Sequence, residues 1–360
     1  MNNTAASDTK VRRRDKEVYN TNYVKTSRWE RWKIKYLNVG FLGHTIFVIF
    51  RTVFLIGISY VILYPFFAKI SSSFMSRNDF VDVTVKLIPR YPTLDTYRAI
   101  INDNYYLQAL FNTTILSVFC GFTQTLICSI IGYGFAKFNF KGNKLLFFIV
   151  VFTMVVPHQT LQLSMFMKFR YFDIFGIFNL LGGGDIKLFG KVLGHLPKIL
   201  PFTSLNLNNS YWPLALLSLG GLAFKNGLYI FMMRQFFKGF PNELEESAYI
   251  DGYSVYRTFW AIIIPNSFTM MITIFLFAFA WQWTDNFYTE IFFTTEGIKL
   301  MPDVVAVPKS LDTQYAGQNL YVAAIRNTCG LMIIAPLIIV YLFGQQFLVQ
   351  GIERSGLTAE

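Results

Sequence analysis

Cysteine and histidine are scarce in this chain, three of each among 360 residues, and the few that occur stand apart. Cys120, Cys128 and Cys329 fall inside apolar runs with no metal-ligand spacing, which indicates small buried hydrophobes and no disulfide framework. His44, His158 and His195 are isolated, so neither a Cys-His set nor an HExxH helix is available, and no Ser sits in a GxSxG elbow. No residue is therefore read as catalytic or as a metal ligand, and an enzyme active site is not expected. Charge is also in short supply: 15% of residues are Asp, Glu, Lys or Arg, against 53% hydrophobic and 18% aromatic, with a mean hydropathy of +0.40. Soluble domains carry more charge than this. The net charge of +11 does not indicate nucleic acid, because Lys and Arg flank apolar runs instead of interleaving with aromatics along a polar domain.

What is present is a series of six apolar runs, at Thr52 to Ala68, Phe111 to Ala136, Leu145 to Leu163, Trp212 to Met233, Ser267 to Trp283 and Asn327 to Leu348. Each approaches the roughly 20 residues that a helix needs to cross about 30 Å of hydrocarbon. A helix also closes its own backbone hydrogen bonds in lipid. The expectation is an all-α polytopic membrane protein with six transmembrane helices, a basic tail over 1–50, a membrane domain over 51–348 and a tail over 349–360. An even number of spans puts both termini on one side, and the density of Lys and Arg makes that side the cytoplasm. The tail is too long and polar for a cleavable signal peptide. Its segment from Ser27 to Tyr36, with Trp29 and Trp32 among basic residues, reads either as a surface helix on anionic lipid or as a positive-inside tail.

The polar interruption from Pro241 to Pro265, PNELEESAYIDGYSVYRTFWAIIIP, is built as a compact device. Asn242 and Glu245 have the spacing of a capping box, and Glu243, Glu245 and Glu246 put negative charge on the first turn, where the helix dipole favours it. Gly252 supplies the positive φ of a left-handed cap, and Ser254 can cap a second helix running through Arg257 and Trp260 toward Ile264. The pattern is helix, sharp turn at Asp251-Gly252, helix.

Glu246, Ser247, Ala248, Asp251, Gly252, Ile262, Ile264 and Pro265 resemble the EAA loop of ABC-importer permeases, with Ser247 in place of the first Ala and Ile264 in place of Leu. PTLDTY at Pro92, GYGFAKFNFKG from Gly132 to Gly142, MVVPHQ from Met154 to Gln159 and FMMRQFF before the loop resemble the MalG-like carbohydrate permeases. The resemblance implies a type I ABC-importer permease architecture in a bacterial plasma membrane and half of a translocation pathway for a carbohydrate, with an oligosaccharide as the expected class. It implies a second permease subunit in a heterodimer, two ATPase subunits that bind ATP-Mg, and an extracellular or periplasmic solute-binding protein. The chain has no nucleotide motif or cofactor of its own, and its other partners are membrane lipids. Glu246, Ser247, Ala248, Asp251, Gly252 and Pro265 would then couple it to the ATPases, with small Ser247 and Ala248 admitting close approach. Gln350 and Gly351 match the family's tail contact, although the usual finish is replaced from Arg354 onward. A permease for a non-sugar solute would share these motifs. A secondary transporter would need no ATPase and would leave the loop without purpose.

Five residues are candidates for the pathway. His158 follows Pro157 near a span end and reads either as a pathway lining or as an interfacial histidine. Trp281, Trp283 and Asn286 combine ring faces with hydrogen-bonding groups, which suits sugars, while an aromatic belt at the outer interface accounts for them more cheaply. Lys225 is costly in lipid and should face a cavity, another helix or the interface. The stretch Phe178 to Ser204 resembles an insertion. Its DIKLFGKV lacks the leading Gly and the Ser/Thr of a phosphate-binding loop. Its spacing suits a helix from Asp185 to Leu196, external by parity, that meets the solute-binding protein or lies on lipid. With the three native cysteines replaced, cysteine at Lys187 or Lys191 is expected to react with a membrane-impermeant thiol reagent from outside intact cells. Labelling only in inverted vesicles would reverse this topology.

Overall fold

The computed structural model describes Ser27, Trp29 and residues 39–354, apart from 184, 189–190, 196–197, 296, 312 and 315–317. The readings made on residues 1–26, on most of Ser27 to Tyr36 and on 355–360 lie outside the described residues. The chain divides into two units, Met1–Ala68 and Lys69–Glu360. The described part of the first is chiefly helix α1, Val39–Ser72, which runs on into the second unit and carries Pro65 without breaking. Such prolines are tolerated in apolar helices. The membrane-length stretch of α1, Gly43–Ser72, has none of its apolar window buried.

The second unit opens with α2 (Asp95–Asp103), which the left-handed Tyr105 separates from α3 (Tyr106–Lys137). The third apolar run forms α4 (Asn143–Val155) and α5 (Gln162–Arg170), bent by 96°. Pro157 causes the bend, since a proline forces the residue before it out of the helical region, and Val156 is extended at φ −68°, ψ 121°. After α6 (Ile177–Leu181) the fourth run divides into α7 (Trp212–Leu219) and α8 (Asn226–Lys238). The break holds Gly220 and Gly221, the latter at φ +67°. Next come α9 (Glu243–Ile250), α10 (Val255–Thr258), a π-helical turn at Phe259–Ile263 and α11 (Ile264–Asn266). The helix over Val255–Asn266 then bends by 75° into α12 (Phe268–Trp283). Short α13 (Phe287–Phe292) and long α14 (Gln318–Arg354) complete the order.

Among the described residues three helices are long and apolar enough to cross a membrane, or up to five spans if each bent pair is one. The fourth run, split around Lys225, is not among them.

Helix α3 is the centre of the packing, flanked by α8 and α12. A Cβ on Gly132 would lie 2.6 Å from that of Met233, and one on Gly121 would lie 3.2 Å from the Phe275 ring, so small residues set how closely these helices approach. Three buried clusters follow: one around Tyr133, Phe237 and Phe259, one around Trp283, Ile325 and Cys329, and one around Cys120, Phe169 and Phe292. All three cysteines are free and buried, as expected.

Two expectations need correction. The stretch Asp185 to Leu196 is not a helix: Asp185–Leu188 and Lys191–His195 pair as antiparallel strands β1 and β2, with an irregular register between Ile186 and Lys187. Gly190 and Gly194 would each cost a helix about 1 kcal/mol, while the alternation around Ile186, Leu188 and Val192 suits strands. Among the described residues the fold is thus helical except for this hairpin and an isolated bridge between Phe172 and Leu205. The excursion that carries it is closed at its base by reciprocal bonds, Phe172 N–H to Leu205 O at 2.8 Å and Leu205 N–H to Phe172 O at 2.9 Å.

The second correction concerns the tail. Helix α14 continues to Arg354, so the start of 349–360 is helix, and Gly351 is buried against α12. A Cβ on Gly351 would overlap Thr273 Oγ1, whose hydroxyl is 2.9 Å from Phe347 O. Seven residues earlier, a Cβ on Gly344 would meet Leu276 at 2.5 Å. Gly351 is thus a packing residue, and only Gln350 is exposed. Gly351→Val is expected to destabilise the protein by about 1–3 kcal/mol, the usual range for overpacking. The measurement is a lowered melting temperature in detergent, with Gln350→Ala unchanged. An unaltered melting point for Gly351→Val would refute the packing role.

Candidate functional site

The Pro241 to Pro265 element is helix, turn and helix. Helix α9 ends in a Schellman motif, with Gly252 N–H on Tyr249 O at 3.0 Å and Tyr253 N–H on Ala248 O at 2.9 Å. Gly252 has φ +79°, which a side chain would strain. Ser254 caps the second helix, its Oγ accepting from Arg257 N–H at 3.4 Å. Pro265 lies on the exposed side of α11, beyond the π-helical turn in which Ile264 N–H bonds to Phe259 O.

The capping box does not form. Asn242 makes no side-chain cap, because its Oδ1 is taken by Lys137 Nζ at 2.7 Å. The same ammonium donates to Phe240 O at 3.0 Å and lies 3.1 Å from Glu245 Oε1, with the Lys137 and Glu245 side chains 9% and 10% exposed. A charged donor forms the stronger bond and outcompetes a neutral cap. The Nζ–Oε1 contact is an ion pair without hydrogen-bond alignment. Tyr133, one turn earlier on α3, brings its hydroxyl 3.5 Å from Glu245 Oε2 and its ring 4.9 Å from that of Phe259. One face of α3 therefore holds both helices of the loop. Lys137 was not singled out from the sequence. Its signal there was a lone cation ending a long apolar run.

Exposure divides the loop residues. Glu246, Ser247, Asp251 and Gly252 face outward, with the Ser247 hydroxyl bonded to Leu244 O at 3.1 Å. Ala248 is only 2% exposed and faces inward. Beside the outward acids stand Ile250, 86% exposed, and Tyr256, 81% exposed.

The pathway candidates separate into two groups. His158, Lys225 and Trp281 come together around Phe224: the His158 ring is 4.3 Å from that of Phe224, and Lys225 Nζ lies 4.4 Å over Phe224 and 4.6 Å over Trp281. Gln124, Tyr229, Gln282, Asp285 and Tyr288 line the same small cavity. Burial pushes the Asp285 carboxyl up to about 7, against the pull of the Tyr288 N–H bonded to it at 3.1 Å. Trp283 and Asn286 stand elsewhere. The Trp283 indole is buried and donates to Ile333 O at 2.9 Å, so it is core, and exposed Asn286 bonds to Glu290. Helical periodicity separates Trp281 from Trp283, since residues two apart do not share a face.

Comparison with known proteins gives a consistent picture. The family model described as "Binding-protein-dependent transport system inner membrane component" matches residues 125–354. The chain is 25% identical over 307 residues to the polygalacturonan/rhamnogalacturonan transport system permease protein YtcP of Bacillus subtilis, covering 83% of this chain and 93% of that one. It is 24% identical over 317 residues to the galactooligosaccharides transport system permease protein GanQ of the same organism, covering 86% and 95%. It is also 24% identical over 308 residues to the maltodextrin transport system permease protein MalD of Streptococcus pneumoniae, covering 84% and 92%. Its fold is similar to a chain in the crystal structure of a bacterial ABC transporter involved in the import of the acidic polysaccharide alginate, with a TM-score of 0.61, 22% identity and coverage of 84% and 97%.

The buried pair sets a stability test. Lys137→Met or Glu245→Gln alone leaves one charge or its acceptors buried without the partner and is expected to cost about 3–5 kcal/mol. The double variant is expected to cost clearly less than the two losses combined, measured as melting temperature in detergent. Full additivity would show that the two residues are not coupled.

Proposed function

This chain belongs to the family of binding-protein-dependent transport system inner membrane components, and from that premise we propose that it forms one half of the translocation pathway of an ATP-driven carbohydrate importer. The sugar assignment draws on the names of the relatives, which are transport system permeases for polygalacturonan/rhamnogalacturonan, galactooligosaccharides and maltodextrin. In this reading the six apolar runs are six spans, with the split run around Lys225 and the two bent helix pairs lining the interior. Both termini face the cytoplasm. A second permease completes a heterodimer, two ATPase subunits bind and hydrolyse ATP-Mg, and a solute-binding protein delivers the substrate outside, where the hairpin-bearing excursion over 173–204 meets it. A permease for another solute would keep the same loop and would differ in what lines the interior.

The observation that carries the coupling role is the surface of the loop. Its inner side is fixed by Lys137, while its outer side presents Ile250 and Tyr256 among Glu243, Glu246 and Asp251. Large apolar side chains beside acids suit neither lipid nor water, and they fit a groove in a protein partner. Glu246 adds a charge-assisted hydrogen bond to such a contact. Movement of the ATPases then reaches the bundle through a rigid lever.

Ile250→Asp and Tyr256→Asp are expected to abolish co-purification of the ATPase subunits and transport-linked hydrolysis, with insertion into the membrane unchanged. They are cleaner probes than Ala248→Trp, which would disrupt the core, or Gly252→Val, which would strain the turn. Normal assembly and uptake in both Asp variants would overturn the docking role.

A further inference from the structure

We propose that Lys225 recognises a carboxylate on the transported molecule, so that the substrate is an acidic, uronate-bearing oligosaccharide and not a neutral one. The inference rests on the carbohydrate reading above and gives the charge class of the sugar. Lys225 stands at the break between α7 and α8, where the chain leaves the helix and its ammonium turns toward the bundle interior. A cation at such a depth is costly unless it has a partner. Among the described residues no carboxylate lies within ion-pair distance of it. It rests on the faces of Phe224 and Trp281, at 4.4 Å and 4.6 Å. Cation–π contact of this kind is weaker than a charge-assisted hydrogen bond to a carboxylate.

A second observation at the same place is independent of the cation. Tyr229, 1% exposed, and Tyr288, 2% exposed, are among the residues that line this cavity, and neither buried hydroxyl has a hydrogen-bond partner. Buried phenols ordinarily have one. Two phenol donors and one ammonium are a complement for the two oxygens of a carboxylate. Size agrees: the cavity is about 20 Å³, little more than the roughly 10–15 Å³ that one water needs. A void of that size takes a single carboxylate oxygen in the place of a water and excludes a sugar ring. The ring would stay at the mouth, where Trp281 is 49% exposed. Asp285 lines the same cavity but is not within ion-pair distance of Lys225; its carboxyl accepts from the Tyr288 N–H at the start of α13. An arriving carboxylate would draw the ammonium off the two rings and leave their faces free to stack on the C–H face of the pyranose. One event would exchange a weak contact for a strong one and open the stacking surface.

The test is binding of trigalacturonate and of uncharged galactotriose to the intact importer complex in nanodiscs, without the solute-binding protein. Wild type is expected to bind the acid at least tenfold more tightly. Lys225→Met should lose that preference, with acid binding falling at least tenfold and neutral binding changing less than twofold. Lys225→Arg, which keeps the charge, should retain the preference and shows that the position tolerates substitution. Equal wild-type affinity for both sugars, or a Lys225→Met variant that weakens both alike, would overturn the carboxylate site and leave the carbohydrate reading standing. Binding of neither sugar by wild type would overturn the carbohydrate reading and this inference with it.

Discussion

The Lys137 ammonium is the contact on which the rest of the arrangement depends. It ends α3, the helix at the centre of the packing, and it makes three contacts at the loop: hydrogen bonds to the Phe240 carbonyl just before it and to the Asn242 side chain, and an ion pair with the Glu245 carboxylate. A buried cation is tolerable only when it is partnered, and here the loop and the residue before it supply the partners. The loop can leave the bundle only by stranding that charge. Fixed by a buried ion pair and by Tyr133 against Phe259, the loop is a rigid part of the bundle, as the proposed coupling role requires.

A second constraint is the way the apolar runs are interrupted. Pro157 turns one run by 96°, the chain turns 75° after Pro265, and Gly220-Gly221 opens a third. Each interruption frees backbone groups that lipid cannot satisfy, so such breaks are tolerated only where protein or a cavity meets them. The break at Gly220-Gly221 delivers Lys225 to the interior, and the Pro157 bend brings His158 against Phe224. Bent helix pairs would suit a secondary transporter as well. Family membership and the loop decide for the importer.

Composition, periodicity and local turn chemistry were sufficient to read the helical membrane class, the apolar runs, the Gly252 turn and the Ser254 cap from the sequence, because each depends on residues within one or two turns of each other. The loop motif was legible for the same reason. Contacts between distant segments were not. Asn242 and Glu245 have the spacing of a capping box, and only the arrival of Lys137, more than a hundred residues away, diverts both. Ala248 and Gly351 match docking positions in a linear motif, yet folding turns them inward, against the bundle and against Thr273. The stretch from Asp185 to His195 has an amphipathic rhythm that serves helix or hairpin, and its two glycines tip it to the hairpin. Trp281 and Trp283 looked like one cluster, and the helix sends one to the cavity and the other to the core. Sequence alone thus determined which segments are helical and apolar, since those are local free energies. Tertiary structure decided which polar groups are buried together, since burial depends on what the rest of the chain brings alongside.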